Sequence, residues 1–186
     1  MTIKQSEILD FWFDGDPSLR RKHWFEQSTE FDAKCARFTG AIRHARSGRF
    51  HHWAFTPKGA LALIVLLDQL SRNVFRGSAE AFAADAYARE IARGAIADRL
   101  DAVLSPVERM FVYLPFQHAE NMEDQNESVR LFETLRDSCG ADTVGHAYRH
   151  RDEIREFGRF PYRNAALGRT NTPEENAYLA KPGARY

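Results

Sequence analysis

Cysteine is nearly absent from the 186-residue chain: Cys35 and Cys139 stand far apart and in no CxxC pair. That argues against both a disulfide framework and a thiolate zinc site. A net charge is also missing, with 26 Lys+Arg against 26 Asp+Glu. No overall field draws such a chain to nucleic acid or to an anionic membrane, so neither is expected as a partner. Long apolar runs are lacking too: the longest, Ala60 to Leu67, has eight residues, against the ~20 of a membrane span. The opening "MTIKQSEILDFWF" lacks the charged, then apolar, then small pattern of a secretory signal. GxSxG, Walker and GxGxxG motifs do not occur, which removes the common hydrolase and nucleotide signatures. The expectation is a soluble, reduced, cytoplasmic protein without a cofactor.

Lysine is scarce as well, 5 residues against 21 arginines. Arginine's planar fork suits paired hydrogen bonds to carboxylate or phosphate, although coding bias alone can produce such a ratio. Position has to decide, and position follows from the helices.

Helix signals recur along the chain and strand alternation is almost missing. Thr56-Pro57, Ser105-Pro106 and Thr172-Pro173 each pair a capping hydroxyl with a proline that fits the first helical turn. Ser105/Glu108 and Thr172/Glu175 add capping-box spacing. Ser28 and Ser78 read as further N-caps, and Gly48, Gly94 and Gly158 as helix ends. Helices are expected near 5–13, 18–26, 29–47, 57–71, 79–93, 106–119, 121–138 and 142–157, with a short one near 173–180. Residues 1–186 then form a single all-α domain of eight or nine helices, an irregular bundle or a solenoid-like stack. "ALALIVLL" and "MFVYLPF" are apolar all round and belong at its centre. Pro115 is expected to kink the second.

Both apolar segments run into polar clusters. The first gives Asp68, Gln69, Arg72, Asn73 and Arg76; the second gives Gln117, His118, Glu120 and Asn121. A third, "FGRFPYRNAALGR", sets Arg159, Arg163, Asn164 and Arg169 among aromatics. A buried polar group left unpaired costs about 1–3 kcal/mol, so these must pair with one another or with a ligand. Two readings stay open. In one, Asp68 and Glu120 join the arginines in a buried ionic network. In the other, arginine outnumbers carboxylate and the surplus charge takes up a small carboxylate or phosphate.

Four stretches, "ILDFWF", "LLDQLSRNVFRGSAEAFAAD", "ERMFVYLPFQHAENMEDQ" and "FGRFPYRNAALGRTNTPEE", resemble in order the blocks of the bacterial family called domain of unknown function 924. That resemblance covers nearly the whole chain. It implies an all-helical, tetratricopeptide-like fold and no established activity. The sequence departs from the family pattern at Ser71, where proline is usual, at Gln117-His118-Ala119, where Glu-His-Ser is usual, and at Tyr162, where histidine is usual. Arg72, Asn73, His118, Glu120, Arg159, Arg163 and Asn164 match it.

Other constellations carry less. His146 and His150 share a helical face at metal-holding spacing, but no glutamate follows His146, and they read as surface histidines. His51 and His52 are adjacent and would point apart; no metal is expected. Trp12, Trp24 and Trp53, with Phe11, Phe13, Phe25 and Phe55, crowd the N-terminal third and read mostly as core. Any aromatic surface left exposed would mark a partner or a homo-oligomer contact. The functional expectation is an anion site, with His118 and Glu120 as the proton-transfer pair. Asp68, Gln69, Arg72, Asn73, Arg76, Arg159, Arg163 and Asn164 are its expected ligand-binding groups. The alternative is a helical-repeat module that binds an acidic peptide, its polar clusters being structural.

Overall fold

A computed structural model describes residues 3–24 and 26–181. Phe25 and the end of the Pro-Gly tail lie outside them. The described residues are all-helical, with no strand among them. Among the described residues nine helices of seven residues or more follow one another: α1 Gln5–Phe13, α2 Thr29–Cys35, α3 Thr39–Arg46, and α4, which runs unbroken through Pro57–Ile64, Val65–Leu70 and Ser71–Val74. Then come α5 Asp85–Ala97, α6 Pro106–Gln117, α7 Met122–Glu133, α8 Ala141–Phe157 and α9 Pro173–Leu179.

The three caps paired with proline form as expected. Thr56, Ser105 and Thr172 accept from the amides of Gly59, Glu108 and Glu175 at 3.2–3.3 Å. Both capping boxes close, with Glu108 and Glu175 accepting from the amides of Ser105 and Thr172. Ser28 caps α2 through the Phe31 amide, but Ser78 makes no side-chain cap and precedes only a 3₁₀ turn, Ala79–Phe82. Gly48 and Gly158 adopt left-handed conformations at helix ends. Gly94 does not: α5 continues to Ala97 with Asp98 as its C-cap, and the left-handed residue that follows is Arg99, a non-glycine with φ 57°.

Several expected helices are shorter than the periodicity suggests: 79–93 is α-helical only from Asp85, and 121–138 stops at Glu133 before a separate short helix, Arg136–Cys139. Between 18 and 26 only Lys22–Trp24 forms a 3₁₀ turn, because tertiary bonds hold the segment: the Trp24 indole donates to Trp12 O and Arg21 to Phe13 O. The 29–47 span breaks at the 3₁₀ turn Ala36–Phe38, where the Thr39 hydroxyl bonds back to Ala36 O.

Every residue of α4 from Gly59 to Ser71 is buried, as is α6 from Met110 to Gln117. These two helices pack on one another, and α4 also takes α1 and α5. Consecutive elements then follow, α5 on α6, α6 on α7 and α7 on α8. The N-terminal aromatics lock α1 to α6: Trp12 and Phe13 meet the Phe111 ring edge to face at 5.6 and 5.4 Å. Pro115 falls in the last turn of α6, where the helix ends two residues later. Cys35 and Cys139 are both free thiols.

Candidate functional site

Inside α4, Val65–Leu70 is wound as a π-helix, a rare turn that recurs at functional positions. Ser71 stabilises its exit. Its buried hydroxyl donates to Leu66 O at 3.0 Å, a bond that a proline at this position could not make. The wide turn carries Asp68, which has no exposed surface. A buried carboxylate must be charge-paired and hydrogen-bonded to persist, and Asp68 is. Arg72 lies 3.0 Å from Oδ1, His118 Nδ1 is 2.8 Å from the same oxygen, and the Gln69 amide donates to Oδ2. Burial alone would raise the Asp68 pKa, but the charges of Arg72 and His118 and these bonds outweigh it and hold the carboxyl well below its usual range.

Arg72 reaches further. Its two terminal nitrogens make a paired bond to Asp85, both at 2.9 Å, and one also donates to Asp68 O. Burial would lower its pKa, but Asp68 and Asp85 raise it. Asp85 in turn accepts from Arg163 Nη1 at 3.3 Å. The Arg163 guanidinium lies among rings, 4.5 Å from the centroid of Phe160 and 4.7 Å from that of Phe82, and its Nε donates to the Tyr162 hydroxyl at 3.2 Å. Arg163 is 3% exposed, and its Nη2 is buried with no hydrogen-bond partner among the described residues.

His118 stands at the C-cap of α6. There the buried Gln125 side chain of α7 donates to Gln117 O and Ala119 O, fixing the backbone on either side. Burial, followed by the Arg72 charge, lowers the His118 pKa, with Asp68 opposing. That shift favours the neutral imidazole. Because an ionised Asp68 can only accept, Nδ1 carries the proton and Nε2 offers its lone pair. Nε2 has no partner among the described residues. His150 lies behind, its ring centroid 6.3 Å from that of His118 and its Nδ1 bonded to His146 O. It is not the surface residue that its spacing suggested: it is 4% exposed, with a pKa well below the ordinary value through burial and the His118 charge.

The expected site residues divide into three groups. Asp68, Gln69, Arg72, His118 and Arg163 converge here. Glu120 does not pair with His118; both its oxygens are held by Arg169, at 2.6 and 2.9 Å, and one also accepts from the Phe160 amide. Burial opposes, but these bonds lower its pKa. Asn164 and Arg159 belong to the same clamp. Asn164 accepts from Arg169 and donates to Glu175, and Arg159 forks onto Glu175 at 2.6 and 2.8 Å. Asn73 and Arg76 leave in another direction, both binding Asp32 of α2.

The local surplus of arginine is thus met by carboxylates from elsewhere: Asp85, Asp32 and Glu175. None of the three carried a sequence signal for this task; Glu175 was legible only as a capping residue. Phe82 and Tyr162, the rings beside Arg163, were likewise unassigned. Gln117, at the position where the resemblance has glutamate, is buried, and its Oε1 lacks a partner among the described residues. No group of three or more metal-binding side chains occurs among the described residues.

The family model described as "Bacterial protein of unknown function (DUF924)" matches residues 8–183. The chain belongs to this family. A solved structure agrees closely: the protein of unknown function ATU0120 from Agrobacterium tumefaciens shares 39% identity and a TM-score of 0.86. The match spans 95% of this chain and 96% of that one. A search of curated proteins gave no match. As a DUF924 member the chain inherits a fold, not an activity, so its chemistry has to be argued from the side chains above.

Proposed function

We propose that the cluster around Asp68 binds a small carboxylate-bearing ligand and that His118 moves a proton on it. One observation carries this reading: the buried Arg163 Nη2 has no hydrogen-bond partner among the described residues, in a molecule where Arg72, Arg76, Arg159 and Arg169 each fork onto a carboxylate. A buried donor left unsatisfied costs about 1–3 kcal/mol, which a ligand oxygen would recover. Charge favours a carboxylate over phosphate. With Arg72 and Arg163 already balanced by Asp68 and Asp85, a phosphate dianion would bring twice the uncompensated charge of a carboxylate.

The proton-transfer assignment rests on the Asp68–His118 pair. Asp68 holds the Nδ1–H tautomer and stabilises the imidazolium that forms when Nε2 takes a proton from the ligand or from a water beside it. Asp68 thus replaces Glu120 as the partner of His118, while Phe82, Phe160 and Tyr162 would surround the apolar part of the ligand. Two free thiols fit the expected reducing, cytoplasmic setting, and no described helix is long and apolar enough to cross a membrane.

The alternative is a tetratricopeptide-like module that binds an acidic peptide, with these residues as an ionic brace. The completeness of the Glu120–Arg169–Asn164–Glu175–Arg159 clamp favours it for that part of the molecule. Thermal shift across formate, acetate, propionate and phosphate separates the two. The expected result is a melting temperature that rises with carboxylates in wild type, by about 2.7 kcal/mol of stability at a hundredfold excess over Kd, and does not rise in Arg163→Ala. Equal anion dependence in both proteins, or none in wild type, would favour the brace.

A further inference from the structure

From Ala33 to Leu67 the chain contains no aspartate or glutamate, yet it carries Lys34, Arg37, Arg43, Arg46, Arg49 and Lys58. In a chain of zero formal charge this is a marked segregation. The fold neutralises half of these cations: Lys34 pairs with Glu30, Arg46 with Glu80 and Lys58 with Glu108. Arg37, Arg43 and Arg49 form no ion pair among the described residues. Arg37 and Arg49 line a cavity of about 1000 Å³ between the start of α1, α3 and the 3₁₀ turn His51–Phe55, together with Lys4, His44 and His52. No carboxylate among the described residues lines it.

Two of these cations are placed by features unrelated to any carboxylate. The Arg37 guanidinium rests on the faces of Phe11 and Phe38, 4.5 and 4.7 Å from their centroids, which orients it while leaving its N–H groups unspent. The left-handed Gly48, φ 78°, ends α3 so that the Arg49 amide bonds back to His44 O, turning the chain at the cavity edge. Glu7, the first-turn carboxylate of α1, is turned away onto the Lys4 amide at 3.0 Å. Part of the wall is aromatic, the stacked rings of Phe50 and Trp53, 4.4 Å apart.

We infer that this cavity is a second binding site, separate from the Asp68 cluster, for a small ligand carrying two or more phosphate groups. Arg37 and Arg49, neither ion-paired among the described residues, together with Lys4 and with no described carboxylate in the lining, call for more negative charge than one carboxylate supplies, which distinguishes the cavity from the charge-balanced Asp68 cluster. Its size matches small-ligand pockets, which run to about 1,000 Å³.

Isothermal titration of the whole protein with inorganic pyrophosphate and with ADP, at low and at raised ionic strength, tests this. Both should bind with one-site stoichiometry, more weakly as salt rises. Affinity should fall about tenfold or more in Arg37→Gln/Arg49→Gln, a change of ~1.4 kcal/mol or more. It should persist in His118→Gln and in Arg130→Ala, a surface arginine with its own glutamate. Both altered residues are exposed, so circular dichroism should show the fold of the double variant intact. Absence of pyrophosphate binding, or equal affinity in the double variant, would overturn the inference. So would binding of a single-stranded oligonucleotide that strengthens with length while pyrophosphate stays unbound, which would make this a nucleic-acid face. Loss of binding in His118→Gln would also overturn it, because the ligand would then occupy the first site.

Discussion

Asp68→Asn is expected to lower the unfolding free energy by about 3–5 kcal/mol, a large part of the ~5–15 kcal/mol of a typical domain. The side chain is wholly buried, and the substitution removes the charge that Arg72 and His118 both face. Arg72 keeps Asp85, so the loss is not that of an arginine stranded alone. Even so, two hydrogen-bond donors and the Arg72 charge meet at one carboxylate, and an amide offers neither the charge nor a second acceptor oxygen. Denaturant titration measures the effect, and its pH dependence identifies the source. The native Asp68 pKa is lowered, so its contribution is full above the unfolded value of about 3.9 and is lost as pH falls towards the depressed native one. The gap between wild type and Asp68→Asn should therefore begin to close only below about pH 4. Lowered native pKa values at His118 and His150 act earlier and in the same sense. The unfolded histidines take protons first, so wild-type stability should already decline as pH drops through about 6.5. A gap that closes near pH 6 instead would place the effect on the imidazole rather than the carboxylate. Arg163→Ala should cost less than Asp68→Asn, about 1–2 kcal/mol, because it gives up ring contacts and two long bonds, to Asp85 and to the Tyr162 hydroxyl. If it proves the more destabilising, Arg163 is the structural residue and the ligand assignment fails.

Gly59→Ala is expected to destabilise by about 3 kcal/mol, against the ordinary helix-propensity gain of ~1 kcal/mol for that exchange. Gly59 sits in the first turn of α4, where an added Cβ would lie 2.3 Å from Trp53 O and 2.5 Å from Thr56 Oγ1. The first is a backbone atom of the preceding turn and cannot swing aside. The second is the capping hydroxyl of the same helix, whose loss costs ~1 kcal/mol in itself. Since α4 is the central helix, the strain enters the middle of the core. Gly94→Ala is the internal control. It lies within α5, with nothing inside 4 Å of the added carbon and no left-handed backbone to preserve. It should stabilise by about 0.5–1 kcal/mol. Chemical denaturation of the two variants side by side should give opposite signs; the same sign in both would show that the close approach at Gly59 relaxes without cost.

Local chemistry was legible in the chain, and so were the elements it controls. Thr56, Ser105 and Thr172 announce their helices because a cap and a proline act within one turn. The unbroken apolar run into Asp68 shows that α4 is buried, since no face of it can meet water. The resemblance named the family that the full-length match establishes. Partner choice was not legible. Counting charges within each cluster suggested an arginine surplus, because Asp85, Asp32 and Glu175 lie far along the chain or were already accounted for as parts of turns and caps. Pairing between helices depends on which faces meet, and that is decided by how α4 packs against α2, α5 and α6. The same holds for His118, whose neighbour in sequence is Glu120 but whose hydrogen-bond partner is Asp68, fifty positions earlier. The π turn, the burial of His150 and the clustering of unpaired cations beside α1 are likewise products of packing. Periodicity and capping are short-range effects written into neighbouring residues. Which charges neutralise each other, and which donor is left for a ligand, is settled only when the helices come together.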